Sequence, residues 1–263
     1  MRGRAERRAA FPGERVRFEA APDPAAADVD IEWSGGGDPS TGSGRRFETA
    51  FVDGGVHEVA ARCGEEALRF PVTICEVDDW LSRASTFFGP SVDLARVRVL
   101  SSRLVWGPAG TAWTCNDTIR FKRPTETTDL PRESTLIHEL GHVWEHQSGQ
   151  AQLMVGIAEQ IGRALGRDPY DYGGPEGLRA ARALTEFSKE SQAQIVTELW
   201  RARHGSDRDR RGVPFSAPGY LGQLERLVAG AGIGTRASVR ASVAARVDGM
   251  LARFVNVVMD RLG

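Results

Sequence analysis

Nowhere in the 263 residues do eighteen apolar residues run together, so nothing in the chain reads as a membrane span. Residues 1–20 lack the apolar stretch of a secretory leader, which leaves a cytoplasmic chain without a Sec-type signal peptide as the expectation. Net charge is nearly absent too. Lys and Arg total 34 against 35 Asp and Glu, a formal −1, and no whole-molecule basic field argues for nucleic acid. The basic opening from Arg2 to Arg8 reads as part of a flexible, solvated terminus over residues 1–12. Cysteine is scarce. Cys63 and Cys75 fall on two arms of one hairpin turning near Gly64-Glu65-Glu66, too far apart to bridge, and Cys115 stands alone. Three thiols in a reducing compartment fit this pattern, and a disulfide framework or a cysteine-rich zinc site does not.

What is present begins with short β-rich runs over residues 13–77: Glu14–Glu19, Val29–Trp33, Arg46–Phe51, His57–Ala61 and Arg69–Ile74. Turn clusters such as Ser34-Gly35-Gly36-Gly37-Asp38-Pro39 and Asp53-Gly54-Gly55 separate them. Strands at this spacing, with Trp33 pointing inward, predict a small β-sandwich with no catalytic grouping of its own. His57 reads as a surface strand residue. In its Trp33-Ser34-Gly35-Gly36 step and in Gly55-Val56-His57-Glu58-Val59-Ala60 the stretch resembles immunoglobulin-like or PKD-like modules. The β pattern stops at Glu76–Leu81, and residues 78–263 read as a second, mostly helical domain, giving an α+β chain.

Three of the five histidines lie in His138-Glu139-Leu140-Gly141-His142-Val143-Trp144-Glu145-His146. On a helix, His138 and His142 sit one turn apart on one face, where two imidazoles can reach one Zn²⁺. Glu139 can then serve as general base toward a water at the metal, the H-E-x-x-H arrangement of zinc peptidases. The uncharged flanks suit a buried metal helix, predicted to run to about Gln147 with Gly149 as its stop. His146 is excluded as a ligand, because eight residues of helix place it about 12 Å from His138. Position 148 is Ser148, which also rules out a third histidine ten residues after the first. His146 and Glu145 read as solvent-facing or supporting groups.

A catalytic zinc takes three protein ligands. Downstream candidates are Glu186, Glu190, Glu198, His204 and Asp260. Ser188 can cap a helix over residues 189–203 ending at Gly205, with Ala193, Val196, Leu199 and Trp200 as its apolar stripe. Glu190 sits at the flank of that stripe in the first turn. Glu198 projects away from it and reads as solvated, and His204 lies about 20 Å beyond Glu190. Glu190 is the best third ligand. Tyr170 and Tyr172 are candidates for a phenol that donates to the tetrahedral oxyanion.

The pair Thr135–Trp144 and Phe187–Val196 resembles small bacterial gluzincin-like zinc metallopeptidase domains associated with Rhs and VgrG proteins and related contractile-injection loci. In that family a Glu-Gln-Gln-Ala step follows the metal helix and its glutamate is a ligand. Here the step reads Glu190-Ser191-Gln192-Ala193. The resemblance covers roughly residues 95–203. It implies a zincin-like peptidase fold with Zn²⁺ as cofactor and a bacterial setting. A peptide or protein is the substrate expected of H-E-x-x-H chemistry, and the charge balance and lack of a long apolar run leave no nucleic-acid or membrane partner expected. The resemblance also implies possible export through a specialised secretion system, with the β module able to dock to an injection-apparatus protein. The alternative it leaves open is a zinc-containing, catalytically silent assembly component. By analogy with zinc peptidases, a strand at Thr118–Phe121 would offer a free edge to an extended peptide.

Helix-compatible spacing continues over Gln152–Leu165. Tyr220, Leu221, Leu224, Leu227 and Val228 form one apolar face, and Thr235 can cap a last helix whose apolar residues run from Val239 to Val258.

Overall fold

The computed structural model describes residues 1–22, 30–150 and 168–234. The helices expected over 152–165 and from 235 onward, and Asp260, lie outside these residues. The chain forms two compact units. The first gathers Met1–Trp80, Trp106–Thr111 and Lys122–Pro131, and the second Leu81–Val105, Ala112–Phe121 and the chain from Arg132. Strands and helices are both present, so the α+β expectation holds.

Among its described residues the first unit carries eight strands: β1 (Arg2–Ala5), β2 (Ala9–Ala10), β3 (Arg15–Ala21), β4 (Glu32–Gly35), β5 (Thr41–Ser43), β6 (Arg46–Ala50), β7 (Gly55–Cys63) and β8 (Glu66–Ile74). They form a three-stranded sheet in the order β1-β3-β6 and a five-stranded sheet in the order β2-β8-β7-β4-β5. Alternation in β3 sends Val16, Phe18 and Ala20 inward, while Arg15, Arg17 and Glu19 face outward. Phe18 meets Trp33 and Phe70 at ring-centroid distances of 6.2 and 5.8 Å, so the two sheets share one core. Trp33 is buried, and its indole N–H donates to the Gly44 carbonyl at 2.7 Å, which satisfies the polar end of an otherwise apolar anchor.

The opening residues differ from the sequence reading. They were expected to fray, yet β1 pairs antiparallel with β3 and β2 pairs parallel with β8. The reason is an open ladder on each partner strand. Backbone pairing satisfies amide groups whatever the charge of the side chains that point to water. Cys63 and Cys75 fall where the hairpin predicts, with Cys63 opposite Glu66 at the turn and Ile74 opposite Gly55 at the far end. All three cysteines are free and buried.

Helix α1 (Val77–Phe88) starts where the β pattern stops. The second unit adds a small sheet of β9 (Arg98–Ser102), β10 (Ala112–Cys115) and β11 (Thr118–Lys122), in the order β10-β11-β9. β11 therefore lies in the middle, and the edge expected at Thr118–Phe121 belongs to β10 instead. β10 pairs with β11 through the two-residue turn Asn116-Asp117, in which Asn116 takes a positive φ of 54°. Helices α2 (Glu133–Gln147), α3 (Gly174–Ala180), α4 (Lys189–Arg203) and α5 (Tyr220–Gly230) complete the described part. On α5, Tyr220, Leu224, Leu227 and Val228 are buried as predicted, while Leu221 faces outward.

Candidate metal centre

Helix α2 ends where the sequence predicts, at Gln147, and Gly149 follows with φ 84°. Its packing partner is α4, which begins after Ser188; the Ser188 hydroxyl accepts from the Ser191 N–H at 3.2 Å. The two helices approach closely at Gly141 and Ala193. A Cβ on Gly141 would stand 3.0 Å from the Ala193 Cα, so glycine on one side and alanine on the other set the separation. Glu190 precedes Ala193 by three residues and lies on the same helical face, while His138 and His142 flank Gly141. Close approach at the small pair thus carries the carboxylate onto the two imidazoles.

The resulting cluster is His138, His142 and Glu190, whose ligand atoms all lie within 4.8 Å of one another. His138 Nε2 donates to Glu190 Oε2 at 3.1 Å, and His142 Nε2 lies 3.6 Å from the same oxygen. Tetrahedral ligands at zinc-like bond lengths of 2.0–2.1 Å stand about 3.3–3.4 Å apart, so these spacings suit one small cation. The three side chains keep 13–16% of their surface exposed, so the cluster is not sealed from solvent.

Electrostatics point the same way. Burial works against a charged His142, but hydrogen bonds to Glu145 and Glu190 and the nearby Glu139 hold its pKa well above the ordinary imidazole value. Burial likewise works against an ionised Glu190, and the His138 and His142 contacts overcome it, keeping its pKa far below the usual carboxylate range. Three carboxylates thus surround two imidazoles, a surplus of negative charge that a divalent cation would balance. The donor set and its charge fit a metal ion, and these three residues could hold one.

Glu139 is buried, and its Oε2 accepts from the Thr114 hydroxyl at 2.6 Å. Thr114 belongs to the edge strand β10, which packs against α2. Sequence reading missed this residue, although Cys115-Asn116-Asp117-Thr118 is a turn signal that locates the hairpin. The far end of α2 is tied to the same hairpin. Gln147 Nε2 donates to Asp117 Oδ1 at 2.8 Å, and Gln147 Oε1 accepts from the Asp93 N–H at 2.7 Å.

The two candidate tyrosines separate. Tyr170 places its ring 5.5 Å from the His138 ring, with the Arg210 guanidinium 5.1 Å from the phenol ring's centroid. Tyr172 is buried instead, and burial first of all raises its pKa; its hydroxyl bonds to Tyr220 and Asp209. Ser191 adds a contact that sequence reading did not foresee. Its hydroxyl donates to the carbonyls of Pro169 and Asp171 at 3.0 and 3.2 Å, fixing the loop that carries Tyr170.

The rejected ligand candidates lie elsewhere. Glu186 is exposed and accepts from the Arg182 N–H, and His204 stacks on Trp200 with centroids 3.6 Å apart. Glu198 corrects the sequence reading: expected in solvent, it is fully buried and accepts from Gln194, Arg201 and the Arg210 N–H. The segment after α4 folds back over it, a long-range event that helical spacing cannot reveal. His146 is half-buried.

Among the described residues no helix is long and apolar enough to cross a membrane. No family model matches the chain. Among curated proteins, the type VI secretion system spike protein VgrG2b of Pseudomonas aeruginosa (strain PAO1) is similar to it, 30% identical over 127 residues, which is 46% of this chain and 12% of that protein.

Proposed function

We propose that the chain is a zinc-dependent peptidase of the gluzincin-like kind, associated with a contractile-injection system, with His138, His142 and Glu190 as zinc ligands and Glu139 as general base. The observation that carries this reading is the convergence of the three donors beside a buried Glu139 carboxylate. Zn²⁺, when bound, supplies a Lewis acid for the scissile carbonyl and eases loss of a proton from the attacking water. Glu139 takes that proton and later delivers it to the leaving amine. Thr114 donates to one Glu139 oxygen, which leaves the other for the proton. Tyr170, backed by Arg210, walls the His138 side of the site.

The β unit, read as an immunoglobulin-like module, serves as a docking element toward spike or tube components. The test is Glu139→Gln. Zinc content stays at the wild-type level while cleavage of a broad peptide library disappears; retained cleavage by the variant rejects the mechanism.

The similarity to a spike protein favours a second reading, a zinc-containing assembly component without turnover. One zinc per chain with no cleavage by wild type, together with co-purification with spike proteins, would select it.

A further inference from the structure

Glu145 is a buried carboxylate to which the mechanism above gives no task. It is 1% exposed and lies on α2 three residues after His142, on the same face. Its Oε2 accepts from His142 Nδ1–H at 3.1 Å, while its Oε1 is buried and has no hydrogen-bond partner. A carboxylate with one bare oxygen in a buried position is a cost to the metal-free fold. Positive charge arriving on the far side of the His142 ring offsets it.

We infer that Glu145 is a positioning residue for the metal ligand His142: it holds Nδ1–H, leaves Nε2 as the donor beside Glu190, and strengthens the site's hold on a divalent cation. The assignment rests on the metal-centre reading above. Ligand and orienter share one helix, so their geometry is set locally by an i,i+3 spacing rather than by docking of distant segments. A carboxylate acceptor also makes the imidazole a better donor than an amide or water partner would.

The test measures Zn²⁺ affinity of the full chain by competition with a chromophoric chelator, for wild type, Glu145→Gln and Glu145→Ala. All three should bind one zinc. Affinity should fall about tenfold in the glutamine variant and toward about a hundredfold in the alanine variant. In zinc-loaded protein labelled with ¹⁵N-histidine, the His142 Nδ1–H should exchange with water faster in Glu145→Ala than in wild type. A merely structural role would not move this signal. Affinities within about twofold of wild type and unchanged exchange overturn the assignment. Should the alanine variant fail to fold, the glutamine variant, matched in size, carries the comparison. A wild-type chain that takes up no zinc defeats the metal reading itself, and Glu145's role with it; the wild-type stoichiometry tells the two failures apart.

Discussion

Thr114 and Glu139 meet through one hydrogen bond of 2.6 Å, and the residue scale turns on contacts of this kind. A hydroxyl bonded to a charged group contributes about 1.5–3 kcal/mol. If that contact holds the base in its working position, Thr114→Val lowers kcat by about 10- to 100-fold with KM little changed. Thr114→Ser restores most of it, as steady-state kinetics on a cleaved peptide would show. Equal loss in the valine and serine variants would count against the hydroxyl. Cys75 offers a second check: burial pushes its thiol up to about 12, so the native chain should leave it unalkylated by iodoacetamide at pH 8 and react fully once unfolded. At this scale the sequence was readable where chemistry is local. His138, Glu139 and His142 are adjacent on one helix, and Ser188 caps the next. Thr114 was not readable, because its importance comes from a strand docking beside a helix 25 residues away in the chain.

Among elements, the pairing of α2 with α4 governs the site. Gly141 facing Ala193 lets the helices approach until Glu190 reaches both imidazoles. Gly141→Val puts branched carbon into that gap and should destabilise the fold by about 1–3 kcal/mol while weakening zinc binding, measured by denaturant melts and metal competition. A variant that kept wild-type zinc affinity would show that the gap is not what sets the site. The apolar stripe of α4 was visible in the sequence, and Glu190 at its flank followed from spacing. The same stripe logic failed for Glu198, because it treats the opposite face as open water, whereas Arg201 and the Arg210 N–H meet that face. It also could not foresee β1 and β2, whose place depends on vacant ladders on β3 and β8 and not on their own residues.

For the whole molecule, the charges at the cluster predict how stability follows pH without metal. His142 has a raised pKa in the fold, so its contribution is complete below the ordinary imidazole value of 6.5 and fades as pH climbs through the raised one. Glu190 has a depressed pKa, so its contribution is complete above the ordinary carboxylate value of 4.5 and fades as pH falls toward the lowered one. The melting temperature of the metal-free chain should therefore plateau between about pH 4.5 and 6.5 and decline on the alkaline side, a decline that Glu145→Ala and Glu190→Ala reduce. Zinc at a hundred times its dissociation constant should add about 2.7 kcal/mol of stability, read as a rise in melting temperature. No rise with added zinc would remove the metal from the account.

Ser191 ties the Pro169–Asp171 backbone to the helix that also bears Glu190. The loop that bears Tyr170 and the first turn that bears Glu190 are thereby held as one body. Any change that slides this helix along its axis must shift both together, so moving the Tyr170 ring independently of Glu190 would require cutting the bonds that Ser188 and Ser191 make to that loop.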